Sequence, residues 1–576
     1  MMTKKIDKKR DQMMVFCMDD MVLQDHLLRL IDRAIDWSFI YDLVEGTYCH
    51  DNGRPSMDPV MLIKIPFIQY LYGIRSMRQT IREIEVNVAY RWSLGLDMMD
   101  PVPHFSTFGK NYTRRFKDTD LFGQIFSHIL GQCMGAGLVD TSQIFVDATH
   151  VKACANGKKI KEQAVHDEAL WYEDGLQKEI ALDRERHGKR PLRDKDRDDP
   201  PSGGDAGGDG GRTRRCSTTD PESGWSRKGE HKHVFAYAVQ TACDRNGWIL
   251  GYTVHPGNEH DSRTFKPLYE KIKGYTPEMV IMDAGYRTPA IAHELLTDGI
   301  LPLLPYKRPM TKDGFFKEYE YVYDEHYDCY ICPEDHILTY RTTDRAGYRE
   351  YKSCGTHCAH CPSLGRCTHS KSHVKTVTRH VWEEYMEMVE DIRHTRGNRE
   401  IYARRKETIE RIFGTAKEQH GFRYTQYIGR ARMEMRAGLT FACMNLKKLA
   451  RILARKENGG LPFQDPPHTF KKICLKIKER CWSLTPAPLF VYSLRVPTER
   501  FLPACGGEKM RKNRRVSGPA PVPFPRHSGV PPHIPSAGPR WLLRPAVPAF
   551  PRGSAGTRHS LFSCLPTMLR TRPASS

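Results

Sequence analysis

The chain has 576 residues, 39% of them apolar and 27% charged, and a formal net charge of +20. That length has room for about three or more domains, and the excess of cations points to a polyanionic partner, most simply nucleic acid. No run of about 20 apolar residues occurs, and Met1-Met2-Thr3-Lys4-Lys5 leads into further charge. Neither a membrane span nor a secretory signal is therefore expected, and the expected location is cytoplasmic. The charge is uneven: from Lys509 onward there are 12 Lys or Arg and no acids.

Residues 18–135 read as helical. Leu27, Leu28, Leu30, Ile31, Ala34 and Ile35 fit one helical face. Asp58-Pro59 opens a second helix, a third runs from about Ser76 to Arg91, and Ser106-Thr107 opens a fourth through Tyr112 and Phe116. Arg75, Arg78, Arg82, Arg91, Lys110, Arg114 and Arg115 suit a DNA-binding module. A bundle with solvated charges is the plainer alternative, since no helix-turn-helix spacing picks out a recognition helix.

Residues 141–152 form the first strand, and 158–187 look helical and highly charged. Residues 193–224, with Gly203-Gly204 and Gly210-Gly211, are expected to be a flexible linker that cannot bury enough apolar surface to order itself. His233 to Cys243 alternates in polarity and returns through the turn Asp244-Arg245-Asn246-Gly247 into Trp248 to Val254. A helix from about Ser262 to Lys273, a strand ending at Asp283 and a strand from Gly299 to Leu304 follow. That order is the one an RNase H-like mixed sheet flanked by helices requires. The expected organisation is an all-α domain over 18–135, a first α/β part over 140–308, and a Cys-rich, zinc-ribbon-like insertion over 309–380. A helical second part of the α/β domain over 381–455 and a Pro/Arg-rich, disordered tail over 456–576 complete it.

Asp147 ends the apolar run Ile144-Phe145-Val146, and Asp283 ends Met279-Val280-Ile281-Met282. Glu410 lies in a basic helical stretch, Arg404 to Lys417. Singly, such acids are turn residues or halves of exposed ion pairs. Together they are what a nuclease-type centre needs, because two divalent cations about 4 Å apart require several hard oxygen ligands. Small residues in Asp283-Ala284-Gly285-Tyr286-Arg287 let a phosphate backbone come close, and Arg287 can neutralise a phosphate. Glu410, Phe413, Gly414 and Lys417 share a helical face, which suits Lys417 to a DNA strand. In His255-Pro256-Gly257-Asn258-Glu259-His260-Asp261-Ser262, Asp261 or Ser262 is expected to cap the next helix, with a supporting role beside the metals as the alternative.

Six cysteines fall between Cys329 and Cys367. The pairs Cys329-x2-Cys332 and Cys358-x2-Cys361 are the best tetrahedral set for one structural Zn²⁺. Cys354, Cys367, His357 and His360 are alternatives.

Phe145-Val146-Asp147-Ala148-Thr149, Gly257-Asn258-Glu259-His260-Asp261-Ser262, Asp283-Ala284-Gly285-Tyr286 and Glu410-Arg411-Ile412-Phe413-Gly414 resemble the DDE transposases of bacterial insertion sequences. The cysteine-rich insertion is most similar to the IS-eleven-eighty-two group. The resemblance covers about residues 18–455. It implies Asp147, Asp283 and Glu410 as the catalytic, metal-binding triad for two Mg²⁺ or Mn²⁺, with Glu407 as the rival third acid. The family pattern Tyr, two residues, Arg, three residues, Glu, six residues, Lys fits at Glu410 and Lys417. Its Arg position holds Lys406 and its Tyr position Ala403, with Tyr402 one place early. The implied activity is binding of inverted-repeat ends, strand cleavage and transfer into target DNA by a homodimer, in a bacterial, nucleoid-associated setting. A structure-selective nuclease or an inactive DNA-binding remnant acting as a repressor are the alternatives.

Overall fold

A computed structural model describes residues 15–49, 56–164, 170–192, 213–228, 232–308 and 311–457, with Met13. Most of the expected linker and all but the first two residues of the expected tail lie outside them. Among the described residues, no helix is long and apolar enough to cross a membrane.

The N-terminal region is all-helical. Asp58 caps the helix Pro59–Leu71 by accepting from the backbone N–H groups of Val60 and Met61, with Pro59 at the first helical position. The stretch expected as one helix from Ser76 to Arg91 is two, Met77–Val86 and Val88–Leu94. Asn87 divides them: its backbone is extended, and its side chain accepts from Tyr90 N–H to start the second helix. Ser106–Asn111 runs on into a wider turn, Tyr112–Phe116, and Leu121–Gly135 follows.

The α/β region is built on one mixed sheet. Its strands are β1 (Gln143–Lys152), then, beyond a separate ribbon of β2 (Ile160–Ala164) and β3 (Thr213–Ser217), β4 (Gly224–Lys228), β5 (Lys232–Asp244), β6 (Ile249–Pro256), β7 (Met279–Ile281) and β8 (Leu301–Leu303). β5 lies antiparallel to β1 on one edge and to β6 and β4 on the other. β7 runs parallel to β1, and β8 parallel to β7. Ile144, Phe145, Val146, Val280, Ile281 and Met282 are fully buried, as near-continuous apolar runs in parallel strands must be. Two expectations change here. The stretch 158–187 is helical only from Glu173, and the expected linker 193–224 ends in strand β3, whose Cys216 is buried opposite Lys161.

The insertion forms a five-stranded antiparallel sheet of β9 (Val322–Asp324), β10 (Cys329–Ile331), β11 (Ile337–Thr343), β12 (Tyr348–Lys352) and β13 (Thr376–His380). It has its own small core of Phe316, Tyr321, Tyr330, Leu338, Tyr351 and Val377. Buried Asp183, on the helix Glu173–Arg186, accepts from Arg349 Nε at 2.7 Å and ties this sheet to the α/β region.

After β13 come the helices Glu383–His394, Asn398–Ala403 and Ile409–Gln419, then the long helix Arg430–Glu457. The last packs against the N-terminal helices and β6. There Asn445, buried, accepts from Ile249 N–H at 3.1 Å and donates to Ile249 C=O at 2.9 Å. One continuous apolar core runs through the N-terminal helices, the sheet and this helix.

Candidate active site

The register of two strands brings Asp147 and Asp283 level. Phe145 on β1 pairs with Ile281 on β7 in parallel. Asp147, in the middle of β1, and Asp283, two residues past the end of β7, each lie two residues beyond that pair. Asp283 is extended, and its carboxylate accepts from Gly285 N–H at 2.8 Å.

A third carboxylate joins them. Asp261, in the loop after β6, is held by its carbonyl, which accepts from Gln240 Nε2 at 3.0 Å. A Cβ added to Gly285 would lie 3.0 Å from Asp283 Oδ1 and 3.2 Å from Asp261 Oδ2, so both oxygens face this glycine. His150 and His260 temper the charge on Asp261, whose carboxyl is pushed above the usual range by burial and by Asp283. Capping of the next helix was its expected role; Thr264 holds that N-cap position, and the Asp261 carboxylate lies near Asp283.

A cation closes the group. Arg405 Nη2 donates to Asp147 Oδ2 at 2.7 Å, and Arg405 Nη1 donates to Tyr402 Oη at 3.1 Å. Burial raises the Asp147 pKa to about 6; Arg405 opposes the rise, while Asp283 and Asp261 add to it. Tyr286, wholly buried, feels all three aspartates and Arg405, and its hydroxyl finds no hydrogen-bond partner. An orphaned phenol oxygen beside three half-buried carboxylates fits a site completed by a hard divalent cation, which prefers oxygen donors. Among the described residues, no three His, Cys, Asp or Glu side chains are already gathered tightly enough to hold a metal ion.

The remaining candidates are placed as follows. Glu410 is exposed in the first turn of the helix Ile409–Gln419, which packs on β1 through Ile409, Ile412, Phe413 and Ala416. Phe413 is therefore turned to the core and does not share an outer face with Glu410. The foremost charges acting on Asp147 are those of Arg405, Asp283 and Asp261. Arg287 pairs with Glu390 at 3.2 Å and donates to Pro305 C=O, so its guanidinium is engaged inside the protein. Arg114 is exposed, whereas Arg115 donates to Asn111 Oδ1 and stacks on Tyr48. Lys417 lines a polar cleft with Arg75, Arg423 and Tyr424, between the N-terminal helices and the end of its own helix.

Arg405 was not singled out from sequence, although its signal was there. Tyr402 and Arg405 keep the Tyr-x2-Arg spacing one residue ahead of the expected register. The turn Arg404–Lys406 and the unusual backbone of Thr408 (φ −105°, ψ −95°) separate this pair from Glu410.

Cys332, Cys358 and Cys361 line one small cavity together with Cys367. Cys329 does not; it is buried on β10 between Asp324 and Thr339.

Two family models match the chain. One, described as Transposase domain (DUF772), covers residues 16–114. The other, described as Transposase DDE domain, covers residues 331–450, which include Arg405, Glu410 and Lys417 but not Asp147, Asp261 or Asp283. The chain is a DDE-type transposase, a polynucleotidyl transferase. Together the two matches support a DDE transposase of an insertion sequence. Comparison with curated proteins and with solved structures gave no match.

Proposed function

We propose that the chain binds the inverted-repeat ends of its insertion sequence and carries out metal-dependent strand cleavage and strand transfer, with Asp147, Asp283 and Glu410 as its catalytic acids. The observation that carries the reading is the placing of Asp147 and Asp283 each two residues beyond the parallel pair Phe145 and Ile281, on neighbouring chain segments. The sheet order, with β6 and β5 antiparallel beside β1 and with β7 and β8 parallel to it, supports an RNase H-like catalytic domain.

Asp147 and Asp283, with Asp261 beside them, would hold two Mg²⁺ or Mn²⁺, and Glu410 would complete the set by a shift of its exposed first turn. When bound, such cations supply Lewis-acid stabilisation at the phosphoryl group. The chain's own share is positioning and charge. Arg405 would exchange Asp147 for a phosphate or remain as a countercharge. Gly285, lacking a side chain, leaves room for the DNA backbone. Lys417 and Arg75 in the polar cleft, with exposed Arg114, would contact DNA phosphates. Arg287 would reach a phosphate only by giving up Glu390. Two ends must be cut together, so a homodimer is the expected working form.

The test is cleavage of end-bearing DNA with Mg²⁺, followed by joining of a preformed 3′ hydroxyl to target DNA. Asp147→Asn should lose both while still binding ends. Joining at the parental rate by that variant would end the reading. Hydrolysis without joining by the parent would make the chain a nuclease.

A further inference from the structure

We propose that the insertion holds one structural Zn²⁺ through Cys332, Cys358, Cys361 and Cys367, with Cys329 and Cys354 outside the site. The four thiols come from two separate parts of the insertion and line one cavity of about 20 Å³, room for roughly one water-sized sphere. Cys332 opens the tight turn between β10 and β11, where Asp335 has a left-handed backbone (φ 59°). That turn points His336 N–H at Cys332 Sγ over 3.3 Å. Cys358 and Cys361 flank the end of the short helix Gly355–Ala359, and Cys367 ends the next, Leu364–Cys367. Tyr321 Oη lies 3.3 Å from Cys367 Sγ, and Lys375 lines the same cavity. Burial pushes the Cys367 thiol up, against the nearby Tyr321 hydroxyl and Lys375 ammonium, and Lys375 Nζ itself donates to Cys367 C=O at 3.3 Å; a bound cation would offset that burial by holding the thiolates.

The energetic need is also on the page. The sheet β9–β13 has a separate core of only six buried apolar side chains. Cores this small usually need a metal or disulfides to hold. Zinc binding would draw the four sulfurs together and release the thiol protons to solvent, with no change of oxidation state. Cys329 is excluded because it is buried on β10 and does not line the cavity. Cys354 is excluded because it is exposed and its Sγ contacts Thr356 Oγ1 at 3.0 Å.

The test uses the full chain purified without chelator. Metal analysis should find one Zn²⁺ per chain, released on thiol modification. Cys332→Ser and Cys367→Ser should lower zinc to background, and Cys329→Ser and Cys354→Ser should retain it. Because the first two variants can misfold, the parent chain stripped of metal is also titrated with Co²⁺. Intense thiolate-to-cobalt absorption saturating at one equivalent supports the site. No such absorption, or zinc lost from Cys329→Ser but kept by Cys367→Ser, overturns it. None of these readouts involves DNA, so their failure leaves the catalytic reading untouched.

Discussion

Arg405 donates from Nη2 to Asp147 Oδ2 over 2.7 Å, joining residues 258 positions apart in the chain. Both side chains are largely removed from water, at 8% and 17% exposure. Arg405 is thus a countercharge beside a group of three carboxylates. Arg405→Gln leaves that group uncompensated, and breaking a buried pair from one side costs about 3 kcal/mol. The variant should melt lower than the parent in metal-free buffer, and Mn²⁺ should raise its melting temperature more than the parent's. An unchanged melting curve would mean that the pair carries no weight.

The raised pKa of Asp147, about 6, sets a pH dependence. A carboxyl with a raised pKa keeps its proton to higher pH, and that proton must leave before the carboxylate can hold a cation. Cleavage at limiting Mn²⁺ should therefore rise as pH increases through about 6 and level off above it. More Mn²⁺ should move the midpoint to lower pH, because cation and proton compete. A flat rate across that range would contradict the assignment of Asp147.

Gly285 faces Asp283 Oδ1 and Asp261 Oδ2 at the closest approach a side chain could make. Gly285→Ala should push these oxygens apart and slow cleavage by about 10-fold or more. Stability should change by less than about 1 kcal/mol, since the loop is partly exposed. Parental activity in Gly285→Ala would argue that the two oxygens need not stay close.

Glu410 and Glu407 are both exposed and are separable by experiment. Glu410→Gln should lower cleavage by about 100-fold or more while end binding persists, as loss of a charge-stabilising group does. Glu407→Gln should remain near the parent. The reverse pattern would transfer the third catalytic role to Glu407.

Asn445 satisfies both backbone groups of Ile249 from a helix almost 200 residues away. Asn445→Ala leaves a buried N–H and C=O without those partners, which costs about 3 kcal/mol. Urea unfolding should register that loss. A shift under about 0.5 kcal/mol would show that this bridge is dispensable.

The strands that carry or precede Asp147 and Asp283 were legible in the sequence because the signal is local. Each aspartate closes an apolar run, and such runs keep their meaning wherever the strand packs. The hairpin of β5 and β6 and the cap at Asp58 were legible for the same reason. Asn87 splitting one expected helix in two, and β3 emerging from a Gly-rich stretch, were not. Both depend on a capping or pairing partner that competes with local helix or coil preference. The membership of each cluster was a matter of tertiary structure alone. Asp261, Arg405 and Tyr286 reach Asp147 from separate segments, and the cavity that collects Cys332, Cys358 and Cys361 takes in Cys367 and not Cys329. Sequence spacing records distance along the chain, whereas ligation and charge pairing depend on distance through space, and packing of the sheet and helices sets the second independently of the first.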